Sequence, residues 1–164
     1  PWVFDHVTDD AVTILDALNQ AVGPDVTVTH AAGAGIEEKL FPSFFDAMDA
    51  ASDRTSENYD DDAAIAAAVE LAGESDVAIV VVGERWAQAG ELASRSALDL
   101  GGRQQEQLEA IAATGTPVVV IVMSTRPLDL RWASGNASAI LDVWYPGTHG
   151  GEAVASACLA SSAP

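Results

Sequence analysis

Lysine is almost missing from this chain. Of its seven basic residues only Lys39 is a lysine, and twenty-five acidic residues leave a formal charge of −18 over 164 residues. Phosphate backbones are gripped by clustered cations, so this balance argues strongly against a nucleic-acid partner. The same charge argues against an anionic membrane surface. No apolar run approaches the roughly 20 residues of a membrane-spanning helix. The run around Val77 to Val82 has only strand length. A single cysteine, Cys158, excludes an internal disulfide. It stands in an apolar helical stretch and reads as a buried structural thiol. His6, His30 and His149 are scattered, and no His and Cys cluster has metal-ligand spacing, so neither a metal nor a cofactor is expected. The chain opens at Pro1 without an initiator methionine or a signal-like segment, so a processed, excised or partial chain is the expectation.

What is present is a real core. Hydrophobic residues make up 49% of the chain, enough for one domain spanning residues 1–164. The apolar pattern alternates between helix and strand periods. Thr8 is expected to cap a first helix with Asp9 and Asp10 at its positive end, and Val12, Leu15, Leu18 and Val22 form its stripe. Val26 to Thr29 reads as a short strand, followed by a turn at Gly33-Ala34-Gly35. Residues 40–59 are ambiguous, because Phe41, Phe44, Phe45 and Met48 have helical spacing while Ser52 to Asn58 is polar. Asp60-Asp61-Asp62 opens a helix with Ile65, Ala68, Val69 and Ala72 on one face. Strands follow at 77–82, 118–122 and 139–144, separated by a helix at 102–113, and a last helix covers 151–159. Strands that are apolar at every position, alternating with amphipathic helices, predict an α/β fold with a mostly parallel sheet and helices on both faces.

The loop from Gly83 to Arg95 stands out. A purely apolar strand empties there into Glu84, Arg85, Trp86, Glu91 and Arg95. Open α/β sheets place their chemistry at the carboxyl ends of the strands, and loops on a rigid scaffold carry function more often than the scaffold does.

Several blocks then occur in a recognisable order. They are Ser75 through Glu84, Gly90-Glu91 with Ser94-Arg95, Leu98-Asp99-Leu100, Ala112 through Val120, and Arg126-Pro127-Leu128. Ala139 through Gly147 and Gly150-Gly151-Glu152-Ala153 close the series. In these blocks the chain resembles the C-terminal (α/β)6-type sandwich domain of glycoside hydrolase family 3, a family of β-glucosidases and β-xylosidases. The resemblance implies a retaining β-glycosidase. In such enzymes an N-terminal barrel supplies an aspartate nucleophile, and the sandwich lends the acid/base glutamate, the two carboxyl groups standing roughly 5 Å apart. By position Glu91 is the implied acid/base, in the form Gly-Glu-x-x-x-Arg, with Arg95 the matching basic residue. One acid must stay protonated until it donates, while the other carboxylate stays ionised for attack.

The resemblance also implies a β-linked glucoside or oligosaccharide as substrate, with terminal non-reducing β-D-glucosyl residues as the target, and a secreted or periplasmic location. β-Xylosidase is the alternative within the class. With no barrel ahead of Pro1, this segment alone is expected to be inactive. The chain departs from the family at Gly35, where an aspartate is common, and its C-terminal residues follow the usual exit only loosely.

Each residue has a second reading. Glu91 is otherwise a solvated loop carboxylate, and Glu84, next to the strand, is its rival for the acid/base role or the residue that supports the loop. Trp86 either stacks on a sugar ring or closes over the core. Arg95 either orients the acid or forms a local ion pair. Arg126 and Asp129 read as structural, and His149 as a loop contact. A non-catalytic sandwich that binds carbohydrate or packs on a barrel is the rival from another class. A flavodoxin-type nucleotide domain is weaker, since no Gly-rich phosphate loop follows a first strand.

The acidity has two accounts: adaptation to high salt, where screening relieves self-repulsion, or a merely acidic domain from an alanine- and arginine-rich proteome. The first expects the thermal unfolding midpoint to climb across a potassium chloride series. A flat response removes it.

Overall fold

A computed structural model describes residues 10–36, 59–85, 88 and 93–159. Contacts group them into two compact units. The larger holds the described residues from Ala31 to Trp144, and the smaller those up to His30 and from Tyr145 onward.

The larger unit is built on three parallel strands in the order β1-β2-β3: β1 at Ala78–Gly83, β2 at Val118–Met123 and β3 at Ala139–Asp142. Before β1 comes α2, Asp61–Gly73, which opens at the aspartate run as the sequence predicts and is capped by Asp60, whose carboxylate accepts from the Ala63 amide at 3.0 Å. Asp61 and Asp62 then sit at the positive end of its dipole. Between β1 and β2 runs α3, Gln104–Ala112, and between β2 and β3 the short α4, Arg131–Asn136. Ala68 and Ala72 of α2, Leu108 and Ile111 of α3 and Ala133 of α4 bury one face of the sheet around Val80, Val82, Val118, Val120 and Val122. Val120 and Leu108 have no exposure left. The side chains of β1 that alternate with these differ, since Val81 is 46% exposed. The α/β class and the parallel sheet thus stand as the sequence predicts.

The smaller unit packs α1, Ile14–Ala21, on α5, Gly150–Leu159. Gly151 makes this close approach possible: a Cβ there would strike the carbonyl oxygens of Val12 and Thr13. Helix α1 starts later than predicted. Its cap is Thr13, whose hydroxyl accepts from the Asp16 amide at 3.1 Å and donates to the Asp16 carboxylate at 2.6 Å. Thr8 lies outside the described residues, as does the ambiguous stretch with Phe41, Phe44, Phe45 and Met48.

Two expectations change, and one helix is present that the sequence does not predict. Val26 to Thr29 forms no strand, because it has no ladder partner among the described residues and Val26 is 55% exposed. Helix α4 has no strong sequence signal, being six residues that include serine, glycine and asparagine. It is held by tertiary packing of Ala133 and Trp132 instead. Cys158 is half-buried rather than buried, and burial still pushes its thiol pKa up.

The end of β1 is fixed by one side chain. Gln104, 3% exposed, accepts from the Gly83 amide at 2.7 Å and donates to the carbonyls of Gly83 and Gly101, both at 3.0 Å. Gly83 has φ 142°, a conformation nearly reserved for glycine, and a Cβ there would collide with the Met123 carbonyl. Gly83→Ala is therefore expected to cost about 3 kcal/mol or more. Gly73→Ala, where a Cβ meets nothing within 4 Å, is expected to be neutral or slightly stabilising. Urea unfolding of the two variants checks this.

Candidate functional site

Gly83 and Met123 are register partners, so the chain leaves β1 and β2 side by side at the carboxyl edge of the sheet. The Glu84 amide extends the ladder by one bond, donating to the Met123 carbonyl at 2.8 Å. The Glu84 side chain is completely buried. Its carboxylate lies 3.3 Å from Nη1 of Arg95 and 3.0 Å from Nε of Arg126. Those side chains are themselves 8% and 22% exposed. An isolated ion here would cost several kcal/mol in lost hydration. Two guanidinium partners, with charge-assisted hydrogen bonds, offset that cost.

Each arginine also reaches away from the glutamate. Arg95 donates through Nη2 to the Asp99 carbonyl at 3.1 Å and to its carboxylate at 3.3 Å. Arg126 donates through Nη2 to the carbonyls of Gln88, at 2.6 Å, and Ala93, at 3.1 Å. Gln88 is buried and closes the start of the loop on itself. Its amide donates to the Arg85 carbonyl at 3.0 Å, and its side-chain oxygen accepts from the Arg85 amide at 2.9 Å. Ser124, with no exposure, donates to the Arg126 carbonyl at 2.8 Å and so holds that arginine's backbone. Further along the same segment the Asp129 amide donates to the Leu98 carbonyl at 2.6 Å. The Arg131 guanidinium holds the Asp129 carboxyl down to about 2.

The residues singled out from the sequence therefore fall into two sets. Glu84 and Arg95 are brought into direct contact. Glu91 and Trp86 lie outside the described residues. Arg126 has a larger part than the sequence indicates, since it joins Glu84 to both flanks of the loop. A signal for it existed: Glu84 follows β1 by one residue and Arg126 follows β2 by three, and adjacent parallel strands deliver such residues to one edge. His149, in the smaller unit, stands 3.0 Å from Glu152 on an exposed helix start. Among the described residues no three His, Cys, Asp or Glu side chains converge as metal ligands.

Comparison with known proteins bears on what this edge does. The family model described as Glycosyl hydrolase family 3 C-terminal domain matches residues 3–164. A periplasmic β-glucosidase of Salmonella typhimurium is 34% identical over 94% of this chain, which covers 20% of that protein. A β-xylosidase of Formosa agariphila is likewise 34% identical, over 88% of this chain and 17% of its own length. Among solved structures, a β-glucosidase involved in saponin metabolism from intestinal bacteria superposes with a TM-score of 0.70 at 28% identity, covering 95% of this chain and 23% of that one. The family 3 β-glucosidase of Bifidobacterium adolescentis gives 0.67 at 29% identity, over 89% and 18%. The chain thus spans about a fifth of the length of the relatives it matches.

The buried cluster makes a stability prediction. Glu84→Gln leaves two guanidinium groups without their shared anion and is expected to destabilise by about 3–5 kcal/mol. Asp99→Asn touches a carboxylate that is 69% exposed and should cost less than about 1 kcal/mol. Denaturant unfolding of both variants, side by side, checks the difference.

Proposed function

The chain belongs to glycosyl hydrolase family 3, as a C-terminal domain of that family, and from that premise we propose that it is part of a retaining β-glycosidase of β-glucosidase type. The substrate is a glucoside or oligosaccharide with a terminal non-reducing β-D-glucosyl residue. Glu91 is the general acid/base, and the nucleophile comes from a barrel domain of the same enzyme. The location is periplasmic or secreted, as the periplasmic β-glucosidase of Salmonella typhimurium favours.

The observation that carries the choice between the two loop glutamates is the burial of Glu84. A carboxylate without exposure, clamped by Arg95 and Arg126, has no face to offer a glycosidic oxygen. A general acid must reach the leaving oxygen to which it donates. Glu91 keeps the family's Gly-Glu-x-x-x-Arg spacing with Arg95. On this reading the two glutamates divide the work. Glu84 anchors the start of the loop, and Glu91 donates to the leaving oxygen and then activates water. Trp86 stacks on the sugar within the same loop. Both carboxyl groups are needed for turnover of a glycoside by this route.

The equal identity of the xylosidase relative favours β-xyloside as the second substrate reading. Comparing kcat/KM on aryl β-glucosides and β-xylosides ranks the two.

The catalytic assignment has its own test. In the intact enzyme Glu91→Gln is expected to depress kcat on poor leaving groups by about 10²–10⁴-fold. Activated aryl glycosides, which need little protonation, should lose much less. Azide should restore part of the turnover by replacing the activated water. Equal loss on both substrate types, without azide rescue, would sink the assignment.

A further inference from the structure

We propose that Arg126 is a positioning residue for the acid/base loop, acting through the backbone carbonyls of Gln88 and Ala93. The inference rests on the reading of Glu91 as the acid/base. Gln88 stands three residues before Glu91 and Ala93 two residues after it. Both carbonyls accept from the same nitrogen, Nη2 of Arg126, at 2.6 and 3.1 Å. Two oxygens sharing one donor lie within about 6 Å of each other, so one side chain sets the gap that residues 89–92 must bridge.

The guanidinium is itself held from two sides. Nε is tied to the buried Glu84 carboxylate at 3.0 Å, which fixes the plane of the fork. The Arg126 carbonyl accepts from Ser124 Oγ at 2.8 Å, and Ser124 is fully buried one residue past the end of β2. A continuous chain of contacts thus runs from the sheet edge through Ser124 and Arg126 to both flanks of the loop. Only a planar fork donates to a carboxylate on one side and two carbonyls on the other; a lysine ammonium is a point charge without that fixed fan. Proton transfer to a leaving oxygen is sensitive to small displacements, and about 1 Å of misplacement costs on the order of 10²-fold. Loss of the clamp should therefore appear in the step that needs the proton, not in sugar binding.

The test is made in the intact enzyme with Arg126→Lys, which keeps the charge facing Glu84 and loses the fork. Ser124→Ala, a milder release of the same arginine, runs beside it, and Glu91→Gln is the reference. The expected result for Arg126→Lys is a folded protein with KM, and turnover of activated aryl glycosides, within about threefold of the parent. Its kcat on poor leaving groups should fall by at least about tenfold. Ser124→Ala should shift the same ratio in the same direction by less. Equal loss on both leaving-group types, or no loss, in whichever of the two variants folds overturns the proposal. If Glu91→Gln still shows its selective loss and azide rescue, the reading of Glu91 survives that outcome. Failure of both variants to fold also overturns it, since the role would then be structural. A Glu91→Gln variant without the selective loss removes the reading and this inference together.

Discussion

The burial of one carboxylate, that of Glu84, organises the carboxyl edge of this sheet. A buried ion is tolerated only where its partners are close and well aligned, and that requirement reaches outward in both directions. Toward the sheet it demands that β1 end at one place. Gln104 does this by bonding both the amide and the carbonyl of Gly83, a residue that only glycine can be. Toward the loop it demands two cations, and each of these has donors left over. Those donors are what hold Gln88, Ala93 and Asp99 in place. An apolar residue at position 84 would pack there, but it would leave two guanidiniums facing one another. The anion is what allows two arginines to share a site.

Elements whose stability is local or strongly patterned were legible in the sequence. The triple aspartate at the start of α2 marks where that helix opens, and four consecutive branched apolar residues in β1 and five in β2 admit little but a buried parallel strand. Elements that depend on partners were not legible. Val26 to Thr29 alternates like a strand, yet alternation without a neighbouring ladder leaves an irregular, largely exposed segment. Helix α4 is the reverse case, six residues of indifferent propensity made helical by what Ala133 and Trp132 pack on.

The candidate site divides along the same line. Glu84 and Arg95 stand in one loop and are site candidates in the sequence, but their contact with each other is not readable there. Both had other readings, and nothing in an eleven-residue spacing makes an ion pair. Arg126 was harder, being 42 residues from Glu84. Only the parallel register that places Gly83 beside Met123 turns this separation into adjacency. Composition pointed the other way, since one acid among twenty-five is ordinarily a solvated surface group.

That surplus of acid and the buried cluster respond to different physics. Glu84 is the one buried acidic side chain among the described residues, whereas the other described carboxylates retain contact with solvent. Screening acts on exposed charges, with a Debye length of about 10 Å at 0.1 M salt, and much less on buried pairs. The repulsion carried by −18 charges is therefore a property of the surface, adjustable by the medium. The geometry at the carboxyl edge is set by contacts of about 3 Å to a carboxylate without exposure, where screening acts much less. Arg95 and Arg126 thus stay available to the loop because they share a buried anion of their own. On the surface, where acid is in such excess, the same arginines would have been drawn to many alternative partners and would have fixed none of them.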